Sequence, residues 1–524
     1  MTNDKSHTFK MEQHCCPHGC GISEGKNSLT RRTFLKGMSA AAIGCMALTD
    51  LSWQVLSSEG IAQEHTLTRF PLKVKPVLVY STPGPRQQTS WRSWGGIQTE
   101  EDAQKEVARI QEELESIHSN ADFPVEFMPV ARVKSGRDVP AIRDIADTHV
   151  ILIYAAGGWM DVFDALSETG KDMIFFCRHK SGPVYLWYEI ISPRYLRQHT
   201  DALAVKGVNE DDVVIDSLDE LLWRLRALCG LQNTLGTRIL AVGGPGAWSQ
   251  PRGVVPGLVQ DIWNFDIRTI DYDELGGLIA EARSDNNTVQ KARMQADEYI
   301  KSPGTKLETE RYFVENAFLL DNVFRSLMQK TDSEALTINS CMGTIMPIAE
   351  TSACLTLSTL NDSGYLAFCE SDFVVIPSGV LLANISGKPV FLNDPTYPHD
   401  SIITLAHCTA PRKMNGKERE DARILTHFES DYGAAPKVEM RKGQMVTNII
   451  PDFASKCWIG LTGEIIDAPF MDICRSQIDI QFTCNSSTLA KRMPGFHWMT
   501  CYGNYMKEIG YALKRVEIDW ELLI

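Results

Sequence analysis

Short apolar runs separated by amphipathic stretches set the rhythm of the first half of this chain. Val77-Leu-Val-Tyr80 reads as a buried strand. The segment from Thr99 to Ser119 then puts Val107, Ile110, Leu114 and Ile117 on one face and charges on the other, which is the period of a helix. Val150-Ile-Leu-Ile-Tyr154, Met173-Ile-Phe-Phe176 and Val213-Val-Ile215 are further apolar strands, the last leading into a helical stretch from Leu218 to Cys229. Strands alternating with helices predict a parallel sheet in an α/β layer fold. A second unit opens at Arg238-Ile-Leu-Ala-Val242, turns through Gly243-Gly-Pro-Gly246 and continues through helical stretches near 273–330. From Ile402 onward the pattern changes to short alternating runs, such as Gly443 to Ile450 and Ser476 to Phe482, and predicts a β-rich region. The expected fold class is therefore α/β. Two Rossmann-like parallel-sheet α/β domains, residues 66–235 and 236–400, precede a β-rich, barrel-like C-terminal domain, residues 401–524.

Gly243-Gly-Pro-Gly246 after a strand invites a nucleotide-binding reading, but it has neither the spacing of a dinucleotide fingerprint nor the Gly-Lys-Ser/Thr of a P-loop. A tight strand-to-helix turn is expected there, and likewise at Ala155-Ala-Gly-Gly158.

Before the first strand, Thr30-Arg31-Arg32-Thr33-Phe34-Leu35-Lys36 precedes a weakly apolar run from Met38 to Leu48. This pattern predicts a twin-arginine export signal over residues 1–62, with the twin-arginine translocase as a transient partner and a periplasmic or otherwise extracytoplasmic destination. The apolar run is well short of the roughly 20 residues a spanning helix needs, so no stable membrane span is expected. Gly60-Ile61-Ala62 supplies small residues for cleavage before Gln63; a lipoprotein reading at Ala42-Ile43-Gly44-Cys45 lacks the expected Leu.

Composition narrows the function classes. The 524 residues, 44% hydrophobic and 23% charged, describe a globular chain able to bury a large core. A net charge of −14 argues against a nucleic-acid partner, because phosphate binding needs clustered Lys and Arg. Fourteen cysteines are many. His14-Cys15-Cys16-Pro17-His18-Gly19-Cys20 has neither zinc-site nor haem-attachment spacing and lies upstream of the arginine pair. Cys177 and Cys354 sit in apolar runs and read as buried free thiols.

Candidate chemistry concentrates in the last third. Glu370 in Cys-Glu-Ser-Asp, Asp394 in Leu-Asn-Asp-Pro, His407 in Ala-His-Cys-Thr and His497 in Gly-Phe-His-Trp offer two carboxylates and two imidazoles. Such a set suits one divalent ion, Mn²⁺ above all, since oxygen donors favour a hard cation and imidazole shifts the preference towards transition metals. Each residue also has a structural alternative. Glu370 would cap a helix starting near Phe373, Asp394 would open an Asp-Pro turn, and the histidines would be buried and hydrogen-bonded. Asp372, His399, Asp400, His427 and Glu429 lie near the same motifs and are expected to play structural or supporting parts.

The stretches Cys354 to Gly364, Cys369-Glu-Ser-Asp372, Gly387 to Asp394, Leu405 to Pro411 and His497 to Asn504 together resemble the L-fucose/L-arabinose isomerase-like superfamily. The resemblance covers roughly residues 340–510. It implies a metal-dependent aldose–ketose isomerase acting on a pentose or deoxyhexose through a cis-enediol. Glu370 and Asp394 would be the acid/base pair, and Glu370, Asp394, His407 and His497 the metal ligands. It also implies a homotrimer or homohexamer in which a neighbouring subunit helps close the site. Trp91-Arg-Ser-Trp94 would serve either as a sugar platform or in loop packing. Two alternatives stay open: an exported carbohydrate-binding protein that keeps the fold without turnover, and a related epimerase or lyase using the same enediolate.

Overall fold

This computed structural model describes residues 67–92, 95–157, 160–182, 208–248 and 250–524. The twin-arginine segment, the Cys15/Cys16/Cys20 cluster and Trp94 lie outside the described residues.

The first layer is a sheet of β1 (Leu72–Val79), β2 (Val125–Phe127), β3 (Ala131–Val133), β4 (Val150–Ala155), β5 (Asp172–Cys177) and β6 (Val213–Ile215). Its order is β2-β1-β4-β5-β6, β3 also pairs with β1, and every pairing is parallel. β4 is buried along its whole length, as a strand covered on both faces must be. The helix Glu100–Asn120 starts at a capping box in which Thr99 and Asp102 exchange side-chain-to-backbone hydrogen bonds, and it buries Ile110, Leu114 and Ile117.

The second layer contains β7 (Arg238–Val242), β8 (Asp266–Ile270), β10 (Ala335–Ile338) and β11 (Leu366–Phe368), parallel in the order β11-β10-β7-β8. β9 (Thr305–Leu307) lies outside it. The helical region after β8 divides into Tyr272–Ser284, Asn286–Lys301 and Arg311–Thr331. Asp285 ends the first of these and caps the second through its side chain. Pro303 and Gly304 then separate the second from the third.

The C-terminal region is a closed antiparallel barrel. Its strands are β12 (Phe391–Pro395), β13 (Ile402–His407), β16 (Met445–Ile450), β17 (Cys457–Asp467), β18 (Ser476–Phe482) and β19 (Trp498–Tyr502). They run in the order β16-β19-β12-β13-β18-β17, and pairing of β17 with β16 closes the ring. β20 (Asp519–Leu523) extends the edge of β17 in parallel, while β14 (Ala422–His427) and β15 (Tyr432–Val438) form a hairpin that also holds β9. One hydrophobic core joins the second layer to the barrel through residues such as Leu240, Ile338, Phe391, Ile403 and Leu461. Among the described residues no helix is long and apolar enough to cross a membrane.

Candidate metal centre and active site

In an open parallel sheet, ligands collect beyond the carboxyl ends of the strands where the strand order reverses. In the second layer that reversal falls between β7 and β10. The loops leaving β7, β10 and β11 meet there as Gly243–Gly246, Asn339–Ser340 and Cys369–Asp372. Gly243 has φ of 75°, and a Cβ on it would fall 2.5 Å from the Tyr272 ring, so the tight turn requires glycine. This turn seats the acidic loop. The Gly246 amide donates to the Ser371 carbonyl at 3.1 Å, and the Phe373 amide donates back to the Gly246 carbonyl at 3.1 Å.

Glu370 and Ser371 both adopt left-handed backbone, with φ of 65° and 47°. Two successive non-glycine residues in this region cost roughly 1–2 kcal/mol each. The clamp from Gly246 holds them there, and so does Asp372, whose Oδ1 accepts from the Trp248 amide at 3.2 Å and the Val374 amide at 3.1 Å. Strain of this kind is kept where it aims a side chain.

The barrel rim brings the other three groups. β12 lies between β19 and β13, with Asn393 opposite Trp498 and Asp394 opposite Ala406. That register puts Asp394, His407 and His497 at one end of three adjacent strands, facing Glu370. His497 Nε2 lies 3.1 Å from Asp394 Oδ1 and 3.4 Å from Glu370 Oε2, and His407 Nε2 lies 3.7 Å from Glu370 Oε1. Thus the structure brings all four sequence-predicted residues together. Glu370 sits in a loop ahead of the helix Ile376–Ser386, and Asp394 lies within a strand.

Each imidazole is fixed from behind. His497 Nδ1 donates to Asp372 Oδ2 at 2.7 Å, and His407 Nδ1 lies 2.8 Å from Thr409 Oγ1. Both rings therefore turn Nε2 towards the carboxylates, as outer hydrogen bonds do for metal-bound histidines. The imidazoles are buried, whereas the Glu370 and Asp394 side chains keep 30% and 28% of their surface open, so a small molecule reaches the carboxylates first.

Asp394 Oδ1 and His497 Nε2 lie 3.1 Å apart, an ion-pair contact, and among the described residues neither buried atom has a well-formed hydrogen bond. Buried polar atoms without partners are costly. Held to each other by charge, and beside Glu370 and His407, these atoms offer donors to a divalent cation; the ligand atoms that all lie within 4.8 Å of one another are those of Cys369, Glu370 and His407. The charge balance agrees. Burial favours a neutral His497 ring, but Asp372, Asp394 and Glu370 outweigh it and push its pKa up to about 12. Burial likewise pushes the Glu370 carboxyl up, yet His407 and His497 hold it well below the ordinary carboxylate range. A site with three carboxylates around one ring calls for positive charge.

Asp372 takes the supporting part expected of it, as the direct partner of His497. Sequence reasoning missed other contributors. Cys369 also offers a ligand atom within 4.8 Å of those of Glu370 and His407, and its thiol is 3.7 Å from that of Cys341. Trp248 stacks on Phe496 with ring centroids 3.9 Å apart and meets His497 edge-on at 6.0 Å. Both aromatic rings are partly open to solvent. Trp91 instead lies beneath the Arg92 guanidinium. No family model matches the chain, and no curated protein matches it.

Proposed function

We propose that the chain is a metal-dependent aldose–ketose isomerase acting on a pentose or deoxyhexose of the fucose/arabinose type. The observation that carries this reading is the gathering of Glu370, Asp394, His407 and His497, with His497 Nε2 3.1 Å from Asp394 and 3.4 Å from Glu370, at an opening where both carboxylates are accessible. Those four residues would hold Mn²⁺ or a similar divalent ion. When bound, such an ion supplies Lewis-acid polarisation of neighbouring sugar hydroxyl and carbonyl oxygens.

The chain's own groups account for the proton transfers. One carboxylate of the Glu370/Asp394 pair takes the proton from C2 of the open-chain aldose and returns it to C1, while the O2 proton passes to O1 through the partner. The cis-enediol exists after C2 has lost its proton and O1 has gained one, and before C1 gains a proton and O2 loses its own. Asp372, by holding Nδ1–H of His497, keeps Nε2 of that ring facing the carboxylates. The exposed faces of Trp248 and Phe496 provide an apolar platform for the C–H face of a sugar ring. The two parallel sheets ahead of the barrel are the framework that a pair of Rossmann-like domains would give. An exported homotrimer or homohexamer, delivered by the twin-arginine route, belongs to the same proposal.

The test is NMR-detected exchange of the C2 proton with D₂O over a panel of aldoses including L-fucose and L-arabinose, with Mn²⁺-loaded protein. Exchange accompanied by ketose formation, and reduced about 10²-fold or more in Glu370→Gln, is expected. Metal binding without exchange for any aldose would overturn the reading in favour of a carbohydrate-binding protein. Formation of a second aldose or of two fragments would identify an epimerase or a lyase.

A further inference from the structure

Behind the barrel rim lies a second group of ligating side chains that the isomerase reading does not use. Cys354, Cys408 and His427 each offer a ligand atom, all three atoms lie within 4.8 Å of one another, and all three residues are buried. Cys354 opens the helix Cys354–Asp362, Cys408 follows the last residue of β13, and His427 ends β14. The three therefore come from separate elements.

A fourth donor is close. Cys474 packs against Cys354, Cys408 and Ala435, in a small cluster separate from the main hydrophobic cores. Pairing of His407 with Ser476 across β13 and β18 carries the 474–475 segment alongside Cys408. Arg475 ties that segment to β14, donating from Nε to the Thr426 carbonyl at 2.7 Å and from a terminal nitrogen to Thr426 Oγ1 at 3.2 Å. The same residue's amide donates to Cys408 Sγ at 3.4 Å, a contact that steadies a thiolate.

Free cysteines commonly serve as small apolar core residues, and each of these taken alone would read that way. Three donors within 4.8 Å of one another from three elements, with a fourth thiol packed against two of them, do not. Thiolate and imidazole sets of this composition select a borderline-soft ion, and three sulfurs with one nitrogen form a closed tetrahedral zinc set. Ser430 Oγ lies 3.2 Å from His427 Nδ1, which leaves Nε2 for the ion and reproduces the outer hydrogen bond of zinc-bound histidines.

We propose that Cys354, Cys408, Cys474 and His427 form a structural Zn²⁺ site that pins the β14–β15 hairpin to the barrel and to the helix Cys354–Asp362. It shares no residue with the oxygen-rich centre: His407, the last residue of β13, belongs to that centre and Cys408, the next residue, to this one. The zinc site stands or falls without the isomerase reading.

The experiment uses the full chain carrying one zinc per protein, then exchanged with Co²⁺. Thiolate-to-cobalt charge-transfer bands and intense tetrahedral visible bands are expected. They should be lost in Cys408→Ser and Cys354→Ser and retained in the Glu370→Gln/Asp394→Asn double variant, which removes only oxygen donors of the other centre. Should the serine variants fail to fold, zinc-edge X-ray absorption on the unaltered chain decides. Sulfur neighbours at about 2.3 Å with one nitrogen at about 2.0 Å are expected, and a shell of oxygen and nitrogen alone overturns the proposal. Absence of the charge-transfer bands in the unaltered chain overturns it too. So does a Cys354–Cys408 disulfide found by peptide mapping in the chain as purified, before any metal is removed.

Discussion

Asp372 acts on the centre twice, holding His497 through Oδ2 and the Glu370 loop through Oδ1, and a substitution that keeps the Oδ1 acceptor isolates the first. Asp372→Asn keeps an acceptor near Nδ1 but loses the charge. Outer-shell changes of this kind weaken metal binding about 10- to 100-fold. Calorimetric titration with Mn²⁺ should show that loss while circular dichroism stays unchanged; equal affinity would mean the bond does not orient the ring. Trp248→Ala should raise KM more than it lowers kcat, because a platform contributes to ground state and transition state alike. Away from the centre, burial pushes the Asp362 carboxyl from its ordinary 3.8 up to about 6, despite the Lys413 amide and the Arg419 and Arg412 charges that oppose this. Its Oδ1 accepts from the Lys413 amide at 2.7 Å, while Oδ2 is buried and among the described residues has no hydrogen-bond partner. The folded chain thus holds this proton more tightly than the unfolded chain. Stability is full below pH 3.8 and declines as the pH rises towards 6, by about 3 kcal/mol in all. Asp362→Asn should remove that decline and gain about 1–2 kcal/mol at pH 7, after a cost for the unpaired amide. Urea denaturation across pH 4–7 checks it, and the idea fails if both proteins lose stability in parallel.

Among the elements, the crossing of the helices Leu218–Thr234 and Ile376–Ser386 links the first layer to the second, and Gly230 sits at their contact. A Cβ there would lie 2.3 Å from the Ile385 side chain and 2.9 Å from its backbone. Alanine is the better helix former by about 1 kcal/mol, yet rigid backbone cannot yield, so Gly230→Ala should lose about 2–4 kcal/mol in chemical denaturation. An unchanged midpoint would mean that the helices can separate freely. Elements of this kind were legible where one period dominates. The β4 run and the one-sided helix Glu100–Asn120 follow directly from their apolar spacing. β12 was not, because Asn393, Asp394 and Pro395 carry turn chemistry and only pairing with β19 and β13 makes them a strand. The four residues of the candidate centre are scattered too widely for spacing to connect them; the motifs around each one did so. Trp248 arrives from the β7 turn, far upstream of those motifs, and Cys354, Cys408 and Cys474 share no short-range spacing. For such contributors the signal lies in the packing alone.

For the whole molecule, the centre joins what the fold otherwise keeps apart. Glu370 belongs to the parallel second layer, whereas Asp394, His407 and His497 belong to the barrel. An ion held by both should bind the folded chain and not the unfolded one, and should stabilise it by mass action, about 4 kcal/mol at a thousandfold excess over Kd. The chain's net charge of −14 would let any divalent cation give some nonspecific stabilisation, so the size of the effect alone decides nothing. Its location does. Hydrogen exchange with Mn²⁺ should slow together at the Cys369–Asp372 loop and at the facing ends of β12, β13 and β19, because one ion ties these segments into a single opening event. Protection that spreads evenly over acidic surfaces, or that persists in the Glu370→Gln/Asp394→Asn variant, would mean the cation acts through general charge. Protection confined to those segments and abolished in that variant would show that the two layers share one ion.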